Sequence, residues 1–81
     1  MYDFIKLKVE NIMKIAVIGA GAMGGAVASG LLNYAKDKYS LTVSNPSARP
    51  LEILSAEGAT VTNNNVEAAR DAEIVIVAVK P

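Results

Sequence analysis

Six residues carry the chemistry that this sequence can do: Gly19-Ala20-Gly21-Ala22-Met23-Gly24. They follow the largely β-branched run Ile15-Ala16-Val17-Ile18 and open a segment of helical period. Each glycine answers a separate steric demand. Gly19 lets the chain turn sharply as it leaves the strand. Gly21 has no Cβ and leaves the backbone open to close approach. Gly24 lets the following helix pack tightly on the sheet. The helix N-terminus adds unpaired N–H groups and a partial positive charge. This strand–turn–helix pattern predicts an anion held on backbone amides, and the pyrophosphate of a dinucleotide fits it. The competing reading is a glycine-rich turn that only packs a helix closely.

Other chemistries are poorly supplied. The chain has no His and no Cys, which removes ordinary zinc sites, disulfides and thiol or imidazole catalysis. No paired carboxylates stand at a useful spacing, so neither a catalytic residue nor a metal ligand is expected. A hydride transfer would need none of these, because the cofactor carries the hard chemistry and the protein orients it. With 81 residues and zero formal net charge, the chain forms one small domain with no basic block for nucleic acid or anionic membrane. No apolar run reaches membrane-spanning length, and the N-terminus lacks a signal-peptide pattern. A cytoplasmic protein is expected.

The elements that must position the glycine motif can be read in order. Residues 1–12 form an N-terminal extension. Its Ile5, Leu7 and Val9 alternate with charges as on an edge strand, yet Ile5, Val9 and Ile12 also fit one face of a short helix. The domain proper is 13–81. A strand is expected at 14–18 and a helix at 22–35. Met23, Val27 and Leu31 mark an apolar face of that helix, and the small Gly24 and Ala28 sit where it packs closely. A second strand, 40–44, ends at Asn45-Pro46-Ser47. Ser47 is placed to cap the next helix, Pro50 is tolerated in its first turn, Leu51 and Leu54 are its buried stripe, and Gly58 is its left-handed stop. A third strand covers 60–62. Asn64 with Glu67 suggests a capping box for a short helix reaching about Ala72. Ile74 to Val79 is an apolar, mostly β-branched run suited to a parallel strand.

The order β-α-β-α-β-α-β with short connections predicts the N-terminal half of a Rossmann-type doubly wound parallel sheet, strand order 3-2-1-4. The last strand is the most apolar, yet this order puts it at an edge. Either further sequence or another chain is expected to cover it.

Discrimination between dinucleotides falls to the end of the second strand. NAD-binding proteins place an Asp or Glu about twenty residues past the glycines, on the ribose 2′-OH. This sequence has Ser44 and Asn45 there, with no acid between Asp37 and Glu52. Asn45, Ser47 and Arg49 offer donors to a 2′-phosphate instead. The pattern favours NADP(H) over NAD(H), while Asn45-Pro46-Ser47 also reads as an ordinary turn and cap, and Arg49 as a solvated charge.

Three stretches together resemble the N-terminal domain of Δ1-pyrroline-5-carboxylate reductases: the glycine motif with Gly30-Leu31, then Ser44-Asn45-Pro46-Ser47, then Ala78-Val79-Lys80-Pro81. The resemblance covers about residues 13–81, and the Ala-Val-Lys-Pro ending is its most selective part. It implies that the intact enzyme reduces the C=N bond of pyrroline-5-carboxylate to give L-proline, with NADPH or NADH as hydride donor. It implies that Gly19 to Gly24 hold the pyrophosphate and that Asn45, Pro46 and Ser47 surround the 2′-phosphate. Asn65 would lie near the adenosine, and Ala78, Val79, Lys80 and Pro81 beside the nicotinamide-proximal ribose. Members of that family continue into a helical region that forms the dimer and much of the substrate site. These 81 residues are therefore expected to bind cofactor without turnover, with homo-oligomerisation left to the missing region. Competing assignments are a 3-hydroxyacid dehydrogenase, a coenzyme F420-dependent NADP reductase, or a non-catalytic nucleotide-sensing module.

Overall fold

The computed structural model describes residues 12–35 and 38–79. The readings placed on residues 1–11, Lys80 and Pro81 lie outside the described residues. Seven elements follow one another: β1 (Met13–Ile18), α1 (Ala22–Ala35), β2 (Tyr39–Ser44), α2 (Ala48–Ala56), β3 (Thr60–Thr62), α3 (Asn65–Ala69) and β4 (Ile74–Val77). All strand pairs are parallel and the spatial order is β3-β2-β1-β4, as expected for the Rossmann-type half-sheet.

Strand alternation divides the core between two faces. Ile15 and Val17 of β1 join Leu41 and Val43 of β2 beneath Ala28 and Leu32 of α1 and Leu51 and Leu54 of α2. Ala16 and Ile18 point the other way, against Ala68 of α3. Fully burying a Leu contributes about 1.5–3 kcal/mol, so the face under α1 and α2 carries most of the apolar stabilisation. At the edge, β4 pairs with β1 and leaves Ile74, Val75 and Val77 exposed.

Several local expectations are corrected. The buried line of α1 is Gly24, Ala28 and Leu32, one residue out of phase with the stripe read from the sequence. Met23 is 73% exposed, while Val27 and Leu31 are half-buried. The cause is the contact at Gly24, which sets the helix's rotation: a Cβ there would stand 2.0 Å from the Gly19 carbonyl oxygen. Ser47 occupies the N-cap position of α2 but makes no side-chain cap bond. Its natural N3 donor is missing, because that residue is Pro50. α3 stops at Ala69 rather than Ala72, and β4 at Val77 rather than Val79. The α3 cap is half of the expected box. Asn64 Oδ1 accepts from the Glu67 N–H at 2.9 Å, but the Asn64 N–H donates to Thr62 Oγ1, not to Glu67. Gly58 takes φ +114° as the left-handed stop, and the Ala59 N–H closes back onto the Leu54 carbonyl.

The phase of α1 is testable by stability. Leu32→Ala should cost about 2–5 kcal/mol in urea unfolding. Met23→Ala should change stability by less than about 0.5 kcal/mol. Equal losses from the two substitutions would contradict the packing described.

Candidate functional site

The strand register collects the candidate residues at one edge. Thr62, Ser44, Ile18 and Val77 form a single rung across the carboxyl ends of all four strands. Three further amides extend the ladder one step beyond it. Gly19 N–H donates to Ser44 O at 2.7 Å, Asn45 N–H to Thr62 O at 3.2 Å, and Ala78 N–H to Ile18 O at 2.8 Å. Asn45, Gly19 and Ala78 therefore leave the sheet side by side. This carboxyl edge is where ligands bind in open α/β sheets.

The glycine turn is built by three different constraints. Gly19 has φ +104°, and a Cβ there would meet the Ala78 carbonyl oxygen at 3.0 Å and Val79 at 3.1 Å. Gly24 admits no side chain against the Gly19 carbonyl. At Gly21 a Cβ would meet nothing within 4 Å, so that side of the turn is open space. The Gly25 N–H closes the first helical bond onto Gly21 O at 2.7 Å. The amides of Ala22, Met23 and Gly24 lie ahead of that bond and have no acceptor among the described residues. Open space beside orphan amides at the start of a 14-residue helix fits a pyrophosphate. Ala20 differs from its neighbours: it is buried, and its N–H already donates to Asn45 Oδ1 at 2.9 Å.

That bond changes the reading of Asn45. Its carboxamide was expected to face a 2′-phosphate, but both ends are engaged inside the protein. Oδ1 holds Ala20, and Nδ2 donates to Ser47 O at 3.1 Å with one N–H to spare. Asn45 thus ties the glycine turn to the loop after β2. Pro46 and Ser47 are exposed on that loop and Arg49 is exposed in the first turn of α2, and the Ser47 hydroxyl is free of any cap bond. Asn65 opens α3 and accepts a hydrogen bond on Oδ1 from the Ser44 hydroxyl. Ala78 is half-buried and Val79 exposed beside Gly19. A separate groove of about 580 Å³ runs between α2 and β3; it includes Pro46 but none of the glycine-turn residues.

The two hydrogen bonds made by Ser44 and Asn45 are what sequence reading missed. Their trace in the sequence is a polar pair, Ser44 and Asn45, where the alternating second strand ends, but nothing in that pair names the partners 21 and 25 positions away. Among the described residues no cluster of acidic side chains could hold a metal, and no helix is long and apolar enough to cross a membrane.

Comparison with known proteins agrees with this geometry. Residues 14–81 match the family described as NADP oxidoreductase, coenzyme F420-dependent. The chain is 41% identical over 69 residues to a pyrroline-5-carboxylate reductase of Vibrio alginolyticus, covering 84% of this chain and 25% of that protein. It thus spans about a quarter of the length of the curated relatives it matches. Among solved structures it superposes on an imine reductase from Bacillus cereus BAG3X2 with a TM-score of 0.75 and 35% identity, over 85% of this chain and 23% of that one. A variant imine reductase from Myxococcus stipitatus, in complex with NAD+, gives a TM-score of 0.74 at 30% identity, over 83% and 22%. With its Rossmann-type sheet, its open glycine turn and a match across residues 14–81, the chain belongs to the coenzyme F420-dependent NADP oxidoreductase family.

Proposed function

We propose that this chain is the NADP(H)-binding part of a reductase that acts on the C=N bond of pyrroline-5-carboxylate and yields L-proline. The observation that carries the reading is the hollow at Gly21, walled by the unpaired amides of Ala22 and Met23 and set beside a β2 end without a carboxylate. Amides without acceptors hold an anion at little reorganisation cost, and the helix dipole adds to the attraction. The Ser47 hydroxyl, the Arg49 guanidinium and the spare Asn45 N–H supply the donors for a 2′-phosphate, with no carboxylate to repel it. Ala78, Val79, Lys80 and Pro81 line the nicotinamide side in this reading, and Asn65 the adenosine side. The bound cofactor supplies the hydride; the residues of this chain bind it, orient it and set which dinucleotide is held.

Relatives whose names place them on C=N substrates, the pyrroline-5-carboxylate reductases and the imine reductases, support the substrate class. The family's own description favours a second reading, an NADP oxidoreductase that uses coenzyme F420. Turnover in either case belongs to a longer protein, as do homo-oligomerisation and a cytoplasmic setting, and the 81 residues bind cofactor without reacting.

Three measurements test this. NADPH should bind these 81 residues at least about tenfold more tightly than NADH, a difference of some 1.4 kcal/mol; equal or reversed affinity refutes the 2′-phosphate site. Gly21→Ala should leave the unfolding midpoint unchanged and weaken NADPH roughly tenfold or more, while Gly24→Ala should lower the midpoint by at least about 5 °C. Tight NADPH binding by Gly21→Ala would place the pyrophosphate elsewhere. A version extended to the length of its relatives should oxidise NADPH with pyrroline-5-carboxylate; a folded protein that instead reduces NADP with reduced coenzyme F420 would select the second reading.

A further inference from the structure

Ser44 is the one polar residue buried in the core among the described residues, with 0% of its surface exposed. It lies in the carboxyl-edge rung between Ile18 and Thr62. A buried hydroxyl without a partner costs about 1–3 kcal/mol, and Ala would fill nearly the same space with no such demand. The hydroxyl's partner is the Oδ1 of Asn65, an exposed residue 21 positions later that opens a different element. α3 has five residues and buries only Ala68, so packing alone gives Asn65 little orientation.

We infer that Ser44 is a positioning residue for the cofactor rim, fixing the Asn65 carboxamide with Oδ1 turned inward and Nδ2 presented outward. A carboxamide has one accepting and one donating end. With Oδ1 committed to the Ser44 hydroxyl, the free end is a donor, and the ligand atom it addresses is an acceptor: a ribose hydroxyl or a phosphate oxygen of the adenosine half. A flipped asparagine would turn a donor toward Ser44 Oγ, which could accept it, but the buried hydroxyl proton would then lose its acceptor among the described residues. This inference rests on the reading of Asn65 as a cofactor contact, and the test separates the two.

A double-mutant cycle on this chain, read by calorimetric titration with NADPH, decides it. Asn65→Ala should weaken binding roughly three- to tenfold, as expected for one hydrogen bond to the ligand. Ser44→Ala should weaken it by a similar or smaller factor, and should add nothing in the Asn65→Ala background. The Asn65 side-chain amide signals should be sharp in the parent and averaged in Ser44→Ala. If Ser44→Ala does not fold, Ser44→Cys carries the same comparison with a weaker donor. An unchanged affinity in Asn65→Ala would remove Asn65 from the cofactor site. A normal effect of Asn65→Ala beside a silent Ser44→Ala, or one that is fully additive, would overturn the positioning role while leaving Asn65 in place.

Discussion

No side chain fits between residue 24 and the carbonyl of Gly19, and much of the molecule follows from that. A Cβ on Gly24 would stand 2.0 Å from the carbonyl oxygen and 2.8 Å from its carbon. The helix can therefore sit on the turn that starts it, and its rotation is set there rather than by its larger apolar residues. Ala28 and Leu32 fall on the line that Gly24 defines and close over Ile15 and Val17. The same rotation leaves Met23 in solvent and its amide ahead of the first helical bond. The unpaired amides and the core packing at the start of α1 thus share one steric cause. Gly19 extends it to the neighbouring strand, since its own missing Cβ lets the Ala78 carbonyl approach.

The end of β2 supplies the polar counterpart. Successive strand residues face opposite ways, so Val43 points to the α1 and α2 side while Ser44 points to the α3 side. Asn45, just past the strand, bridges to Ala20 and to Ser47. Two consecutive side chains therefore brace three loops: the glycine turn, the loop after β2 and the start of α3. An aspartate at 45 could still accept from Ala20 but could not donate to Ser47. An uncharged carboxamide is the residue type that can hold both loops at once.

The sequence was most informative where backbone sterics decide. The Gly19 turn, the limits of α1 and the Gly58 stop follow from residue types acting within a few positions of themselves, and the strand order from the alternation of short-linked strands and helices. It was least informative where two distant residues choose each other. The spacing of Met23, Val27 and Leu31 announces a buried stripe, but a contact with no side chain at all moved the helix by one residue. Ser47 looks like a cap until Pro50 is recognised as the missing donor. The Ser44–Asn65 and Asn45–Ala20 bonds depend on the parallel register, which brings residues 18, 44, 62 and 77 level, and no local pattern states that alignment.

The two faces of the sheet are held by different means. One is covered by α1 and α2, with a continuous cluster that includes Leu32, Leu51 and Leu54. Among the described residues the other has only α3 and the residues just after it, with Ala68 and the partly buried Ala72 against Ala16 and Ile18. A five-residue helix that buries one alanine gains about 1 kcal/mol or less from apolar burial and opens more readily than the rest of the domain. Two hydrogen bonds at its start offset that weakness: the Asn64 cap onto Glu67 and the Ser44 bond to Asn65. Net contributions near 1 kcal/mol each are comparable with what packing supplies there. On this face polar contacts at the carboxyl edge, rather than hydrophobic area, determine where the helix begins. The start of α3 therefore depends on one buried hydroxyl and one capping carboxamide as much as on apolar burial.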